Sequence, residues 1–233
     1  MTPLHLLCAG AAQGLVKALQ AQFLAQTGAT IAAQFGAVGA MKEALLAGQP
    51  CDVMVVTQAM INSLVSDGHL LANSRADLGR VRTGIAVNSG APLPSVATPE
   101  GLKAALLASS AIYFPDPQRA TAGIHFARVM QELGVLEALR PRFRTYPAGA
   151  IAMREMAAAA DPAAIGCTQI TEINYTSGVQ LVAPLPDRFE LATVYSAAAS
   201  TAAATNGALA QQFISLLTSQ ETRALRGAGG FEF

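Results

Sequence analysis

The sequence predicts an α/β fold, and three observations carry that prediction. Strand and helix signals alternate along the chain. At Ala9–Gly14, Gly36–Gly39 and Pro115–Gly123 a strand passes through a short turn, small-residue in the first two, into a helix. The stretch DVMVV (Asp52–Val56) reads as a buried parallel strand, because such strands are covered on both faces.

The elements follow in order. Leu4–Ala9 is the first strand. Nothing larger than Gln lies between Ala9 and Gly14, and the helix beyond carries Leu15, Leu19 and Phe23 at i, i+4 and i+8 until Gly28 ends it. A second strand at Thr30–Phe35 leads to a helix with Met41 and Leu45 on one face, stopped by Gly48 and Pro50. After Asp52–Val56 comes a short helix, Gln58–Ser66. Arg80–Asn88 is a strand, and SGAPLPS after it is the clearest punctuation in the chain. The next helix starts with Thr98 as N-cap and Pro99 at the first helical position. Ala111–Phe114 is a strand, and the helix after its turn places Phe126, Val129, Met130 and Leu133 on one face before Gly134 caps it. A helix at Ala148–Ala158, strands at Ala163–Thr168, Val179–Ala183 and Thr193–Ala199, and a helix at Asn206–Thr218 complete the alternation. No period of roughly 20–50 residues repeats, which excludes a solenoid.

Composition bounds the function. The 233 residues fit one large domain or two lobes. Hydrophobic residues make up 52% and charged ones 13%, which provides for a substantial core and argues against disorder. A net charge of zero argues against a nucleic-acid partner, which calls for a basic face. The single basic run, RPRFR at Arg140–Arg144, reads as a solvated strand or loop. Cys8, Cys51 and Cys167 are widely spaced among apolar neighbours, as small buried thiols are, and not as a disulfide framework or a zinc site. His5, His69 and His125 form no metal-ligand pair, and no metal or cofactor signature is present. No apolar stretch reaches the roughly 18–20 residues that membrane insertion requires. Met1 is followed at once by Thr-Pro and the first strand, without a basic n-region. The expected location is cytoplasmic if Met1 is the native start, and periplasmic if a signal peptide was removed.

The strand-to-helix junctions point to an anion. A helix start offers free backbone N–H groups and the positive end of the helix dipole, and in open parallel sheets these starts lie where ligands bind. Two such starts offered to one site, near Ala9–Gly14 and Gly36–Gly39, suit a small anionic ligand.

The order of LLCAGAAQGLVKAL, QFGAVGAMKEALLAG, CDVMVV, PDPQRATAGIHFARVMQELGV, AAIGCTQITEI and VQLVAPLPD resembles the type II periplasmic-binding-protein fold, closest to the molybdate-binding receptor family, over nearly the whole chain. The resemblance implies two lobes, each a mostly parallel sheet flanked by helices, with the ligand clamped between them. It places lobe one at 1–80 plus 194–233 and lobe two at 81–193. It also implies hydroxyl donors at the first helix start, at the second, and from lobe two. The matching positions here are Ala11, Val38 and Gln169. Three missing hydroxyls imply an organic acid rather than molybdate, since each lost donor costs about 1–3 kcal/mol when its partner is left buried and unpaired. TQITEI (Thr168–Ile173) and the APLPD segment are similar to a divergent branch that includes aconitate isomerase.

The expected ligand-binding set is therefore Ala11, Ala12, Gln13, Val38, Gly39, Arg119, Thr121 and Gln169. Arg119 can fork a carboxylate or sit as a solvated loop arginine. Thr121 reads as an N-cap, with or without a bond to the ligand. Gln169 either faces the ligand or is a satisfied strand-end amide. Glu172 reads as the exposed start of a surface helix, with acid/base work as the alternative. His125 reads as structural, and Arg154 and Glu155 as solvent-facing. The leading function is a solute-binding protein that clamps a small organic (poly)carboxylate for the permease of an ABC-type transporter. The alternative is a cytosolic isomerase of an unsaturated carboxylic acid, working by a 1,3-proton shift on the same fold. No acid/base pair evident in the sequence supports the enzyme.

Overall fold

The computed structural model describes residues 3–202 and 206–233. Met1, Thr2 and positions 203–205, which the expected first lobe includes, lie outside the described residues. The chain divides into two compact units, Met1–Arg80 with Thr193–Phe233, and Val81–Ala192.

The first unit opens with β1 (Leu4–Ala9), α1 (Gly10–Thr27), β2 (Ile31–Gly36), α2 (Val38–Leu46), β3 (Val53–Thr57) and α3 (Gln58–Ser66). Strand β4 (Ala76–Asn88) carries the chain into the second unit, which holds α4 (Pro99–Ala108), β5 (Ile112–Pro115), α5 (Thr121–Glu132), α6 (Leu136–Leu139), β6 (Phe143–Tyr146), α7 (Gly149–Ala159), β7 (Ile165–Gln169), α8 (Ile170–Asn174) and β8 (Val179–Pro184). The chain returns through β9 (Ala192–Ala199) and ends with α9 (Gly207–Thr218) and α10 (Arg223–Gly229).

In the first unit β2, β1 and β3 pair in parallel, and β9 runs antiparallel on β3. Val53, Met54, Val55 and Val56 are all buried, as expected of a strand covered on both faces. Leu15, Leu19 and Phe23 of α1 are buried, and the Phe23 ring meets the edge of Phe213 on α9 with centroids 5.0 Å apart. Gly28 ends α1 in the left-handed conformation (φ 71°), its N–H bonded to the Leu24 carbonyl. The buried Arg226 guanidinium ties α10 to its surroundings by donating to the carbonyls of Leu78, Thr218 and Ser219.

The second unit departs from a mostly parallel sheet. β5 pairs in parallel with β6 and β7, but β4 is antiparallel to both β7 and β8. Its sheet separates two apolar clusters. Ile85, Val87, Ile165 and Cys167 pack under Phe126, Val129 and Met130 of α5. Ala86 packs with Ala152, Met153 and Met156 of α7 on the other side. Thr98 caps α4 as expected, accepting from the Gly101 N–H at 3.1 Å with Pro99 first in the helix.

Several boundaries differ from the sequence reading. The small residues after Ala9 form no turn, because β1 passes directly into α1 at Gly10. Alanine and glycine carry no capping side chain, so the stretch reads as loop although its backbone is helical. β4 starts at Ala76 rather than Arg80, and Arg140–Arg144 divides between a short 3₁₀ turn at Arg140–Arg142 and the start of β6.

Candidate functional site

In the first unit, strand register brings three helix starts to one sheet edge. Ala9 lies opposite Gly36, and Cys8 opposite both Phe35 and Val55, so β1, β2 and β3 finish nearly level. α1, α2 and α3 begin there. α3 satisfies its own start, since the Thr57 hydroxyl accepts from the Met60 N–H at 3.3 Å. α1 and α2 do not. Their N-caps are Ala9 and Ala37, and neither has a side-chain cap bond. The N–H groups of the first helical residues are left for water or a ligand. Ala11 and Ala12 are buried in the first turn of α1 with Gln13 half-buried after them, and Val38 and Gly39 are the first two residues of α2. The structure therefore places these five expected residues along one edge.

In the second unit the corresponding edge is the end of β5 and β7. β5 pairs with β7 at Ile112–Ile165 and Tyr113–Gly166, and β5 ends at Pro115 as β7 ends at Gln169. α5 starts directly on that edge. A Cβ added at Gly123 would lie 2.2 Å from the Pro115 oxygen and 2.3 Å from the Asp116 oxygen, so only glycine allows this approach. Thr121 is the first residue of α5 and the N-cap is Ala120, which corrects the reading of Thr121 as the cap. Arg119 is exposed, and its N–H donates to Asp116 Oδ1 at 3.2 Å.

Gln169 is not a satisfied strand-end amide. It is 3% exposed, and neither its Oε1 nor its Nε2 has a hydrogen-bond partner. Opposite it on β4 stands Thr83, 1% exposed, whose Oγ1 also lacks a partner. Alternation along each strand settles which way the two side chains face. Ile165 and Cys167, and Ile85 and Val87, pack under α5, so Gln169 and Thr83 lie on that same face, at the end where α5 begins. No sequence signal marked Thr83, whose importance follows from its register with Gln169.

The other face of β7 holds Glu172. The sequence reading as an exposed helix start is wrong, since Glu172 is 6% exposed. Its Oε2 accepts the Thr168 hydroxyl at 2.5 Å, and its Oε1 accepts the Ala150 N–H at 3.2 Å. It also accepts from the N–H of Gln169, the N-cap of α8. Glu172 thus caps two helices, α7 from outside and α8 from within. Burial pushes its carboxyl above the usual range, and these three bonds only partly offset that. A carboxyl that holds its proton more tightly when folded lends stability below the unfolded-state pKa, and that stability is lost as pH rises through the folded value. Urea midpoints between about pH 4 and pH 8 are expected to fall with pH in the native protein. They should be flatter in Glu172→Gln, which cannot ionise. Parallel profiles would mean that Glu172 is already charged across the range.

His125 Nε2 is 2.7 Å from the Phe189 carbonyl oxygen, and Arg154 and Glu155 are exposed. All three cysteines are buried, and burial raises their thiols, Cys51 up to about 12, so none is a thiolate at neutral pH. Among the described residues no group of His, Cys, Asp or Glu could hold a metal ion, and no helix is long and apolar enough to cross a membrane.

The family described as bacterial extracellular solute-binding protein matches residues 4–232. The periplasmic molybdate-binding protein of Azotobacter vinelandii has a similar structure, with a TM-score of 0.79 at 21% identity over 99% of each chain. The sulfate-binding protein SubI from Mycobacterium tuberculosis H37Rv is similar with a TM-score of 0.76 at 15% identity, over 99% of this chain and 86% of SubI. These likenesses show the type II periplasmic-binding-protein fold. A curated relative, aconitate isomerase from Pseudomonas sp, is 26% identical over 163 residues, which are 68% of this chain and only 59% of the relative's length.

Proposed function

The chain belongs to the bacterial extracellular solute-binding protein family, and from that premise we propose that it binds a small organic carboxylate, rather than molybdate, and delivers it to an ABC-type permease. Such a receptor works in the periplasm. The observation that carries this reading is the chemistry of the helix starts. α1 and α2 keep uncapped N–H groups, which favour an anion. Yet Ala11, Val38 and Gln169 put no hydroxyl at the three positions where the resemblance to molybdate receptors implies one. A metal oxyanion would lose several donors of about 1–3 kcal/mol each. A carboxylate needs fewer donors and tolerates the apolar wall of Ala11 and Val38.

The aconitate isomerase relative favours a second reading, an isomerase of an unsaturated carboxylic acid working in the cytoplasm. A 1,3-proton shift needs a free base as well as donors for the developing negative charge. Glu172 is a poor base, because both its oxygens are engaged by Thr168 and Ala150. The receptor reading is therefore preferred.

Thermal shifts with molybdate, sulfate, citrate, and cis- and trans-aconitate test both readings. A carboxylate at about 100 times its Kd is expected to raise the melting temperature by about 5–10 °C. A larger shift with molybdate would overturn the organic-acid assignment. Proton exchange or product in deuterated water, followed by NMR on the best carboxylate, would establish the isomerase instead.

A further inference from the structure

Gln169 and Thr83 form a second polar feature, distinct in chemistry from the helix starts. Thr83 gives its N–H to the Leu191 carbonyl at 3.0 Å, and its carbonyl accepts the Leu185 N–H at 3.1 Å. Its backbone is thus satisfied on the side away from β7. The facing pair Thr83–Gln169 is therefore of the close, non-hydrogen-bonded kind, with Cβ atoms about 4.5–5.5 Å apart. The two side chains present a hydroxyl, a carbonyl oxygen and an amide NH₂ at one place, all buried and all without partners. Buried polar groups are left unpaired at a cost, and a matching pair of ligand atoms removes it.

The donor and acceptor inventory states what those atoms must be. A carboxylate, molybdate or sulfate oxygen only accepts, so it would pair with the Gln169 NH₂ and leave Oε1 orphaned. A hydroxyl both donates and accepts. It can give its proton to Gln169 Oε1 while it receives one from Nε2 or from Thr83 Oγ1. Neither residue is charged, which suits a neutral group rather than a second anion. We infer that Thr83 and Gln169 together read a hydroxyl on the ligand, so that the solute is a hydroxylated carboxylic acid and Thr83 is a specificity-determining residue. This rests on the organic-acid reading above and narrows it.

Matched acids that differ by one hydroxyl provide the test. Citrate and tricarballylate, and malate and succinate, are titrated calorimetrically into the native protein, Thr83→Ser and Thr83→Val. The native protein and Thr83→Ser are expected to favour the hydroxy member of a pair by about tenfold. Thr83→Val is expected to bind the two members within about twofold. Its melting temperature without ligand should be unchanged or higher, because a methyl replaces an unsatisfied hydroxyl in the same space. Equal binding of the two members by the native protein, or an undiminished preference in Thr83→Val, would overturn the inference and leave the organic-acid reading standing. Binding of molybdate with no response to any of the four acids would overturn both. Inorganic phosphate, whose protonated oxygen also donates and accepts, is a separate arm, and tighter binding of phosphate than of citrate would overturn the hydroxy-acid assignment.

Discussion

Ala37→Asp is expected to make the protein more stable and to weaken its ligand by about 100-fold or more, equivalent to roughly 3 kcal/mol. Ala37 already has the backbone of an N-cap, φ −66° and ψ 151°, and is only half-buried. An aspartate there accepts from the N–H groups of the first turn of α2 and meets the positive end of its dipole. Together these stabilise by about 1 kcal/mol. The same bond removes the donors that the ligand would use, and the new carboxylate repels an anion. At about 4 Å and an effective dielectric near 20 that repulsion approaches 4 kcal/mol before screening. Ala37→Asn separates the two causes, since it caps without charge and should retain part of the affinity. Urea denaturation reads the first effect and titration with the best carboxylate the second. A stabilised variant with native affinity would remove the start of α2 from the site.

Gly149→Ala is expected to cost about 3 kcal/mol, at the upper end of what overpacking does. An added Cβ would lie 1.9 Å from Thr168 Oγ1 and 2.1 Å from Glu172 Oε2. Neither atom can retreat without breaking the bond between them, and Glu172 would also lose its grip on the Ala150 N–H. Gly48→Ala is the control. Gly48 has φ +79° with nothing within 4 Å of an added Cβ, so only the left-handed backbone opposes alanine, at about 1 kcal/mol. Urea denaturation ranks the two, and hydrogen exchange in 165–174 should rise only in Gly149→Ala. Equal costs would show that the approach of α7 to Glu172 is loose. A double variant with Thr168→Ala should recover part of the loss, because one of the two colliding atoms is gone.

Much of the fold was legible along the chain, for reasons that individual residues show. Leu15, Leu19 and Phe23 announce α1 because burial on one face imposes a helical period, and all three are buried. Thr98 and Pro99 announce α4 because a hydroxyl cap and a fixed φ are local properties. The start of α1 at Gly10 was read as a turn because an alanine N-cap leaves no local mark. In the site, the expected residues of α1 and α2 could be named from their junctions. Glu172 was misread, because its burial depends on Gly149, more than twenty residues before it. Thr83 was missed, because its meaning depends on a strand partner 86 positions away.

The sequence by itself determined the alternation of strands and helices, the α/β class and the small-residue junctions that point to an anion. Periodicity and turn chemistry act within a few residues of each other. Only the tertiary structure decided which polar groups are left without partners. Hydrogen bonding is satisfied through space, so the orphaned amide of Gln169, the Thr83 hydroxyl opposite it and the fully engaged carboxylate of Glu172 appear only once β4, β7 and α7 are packed together.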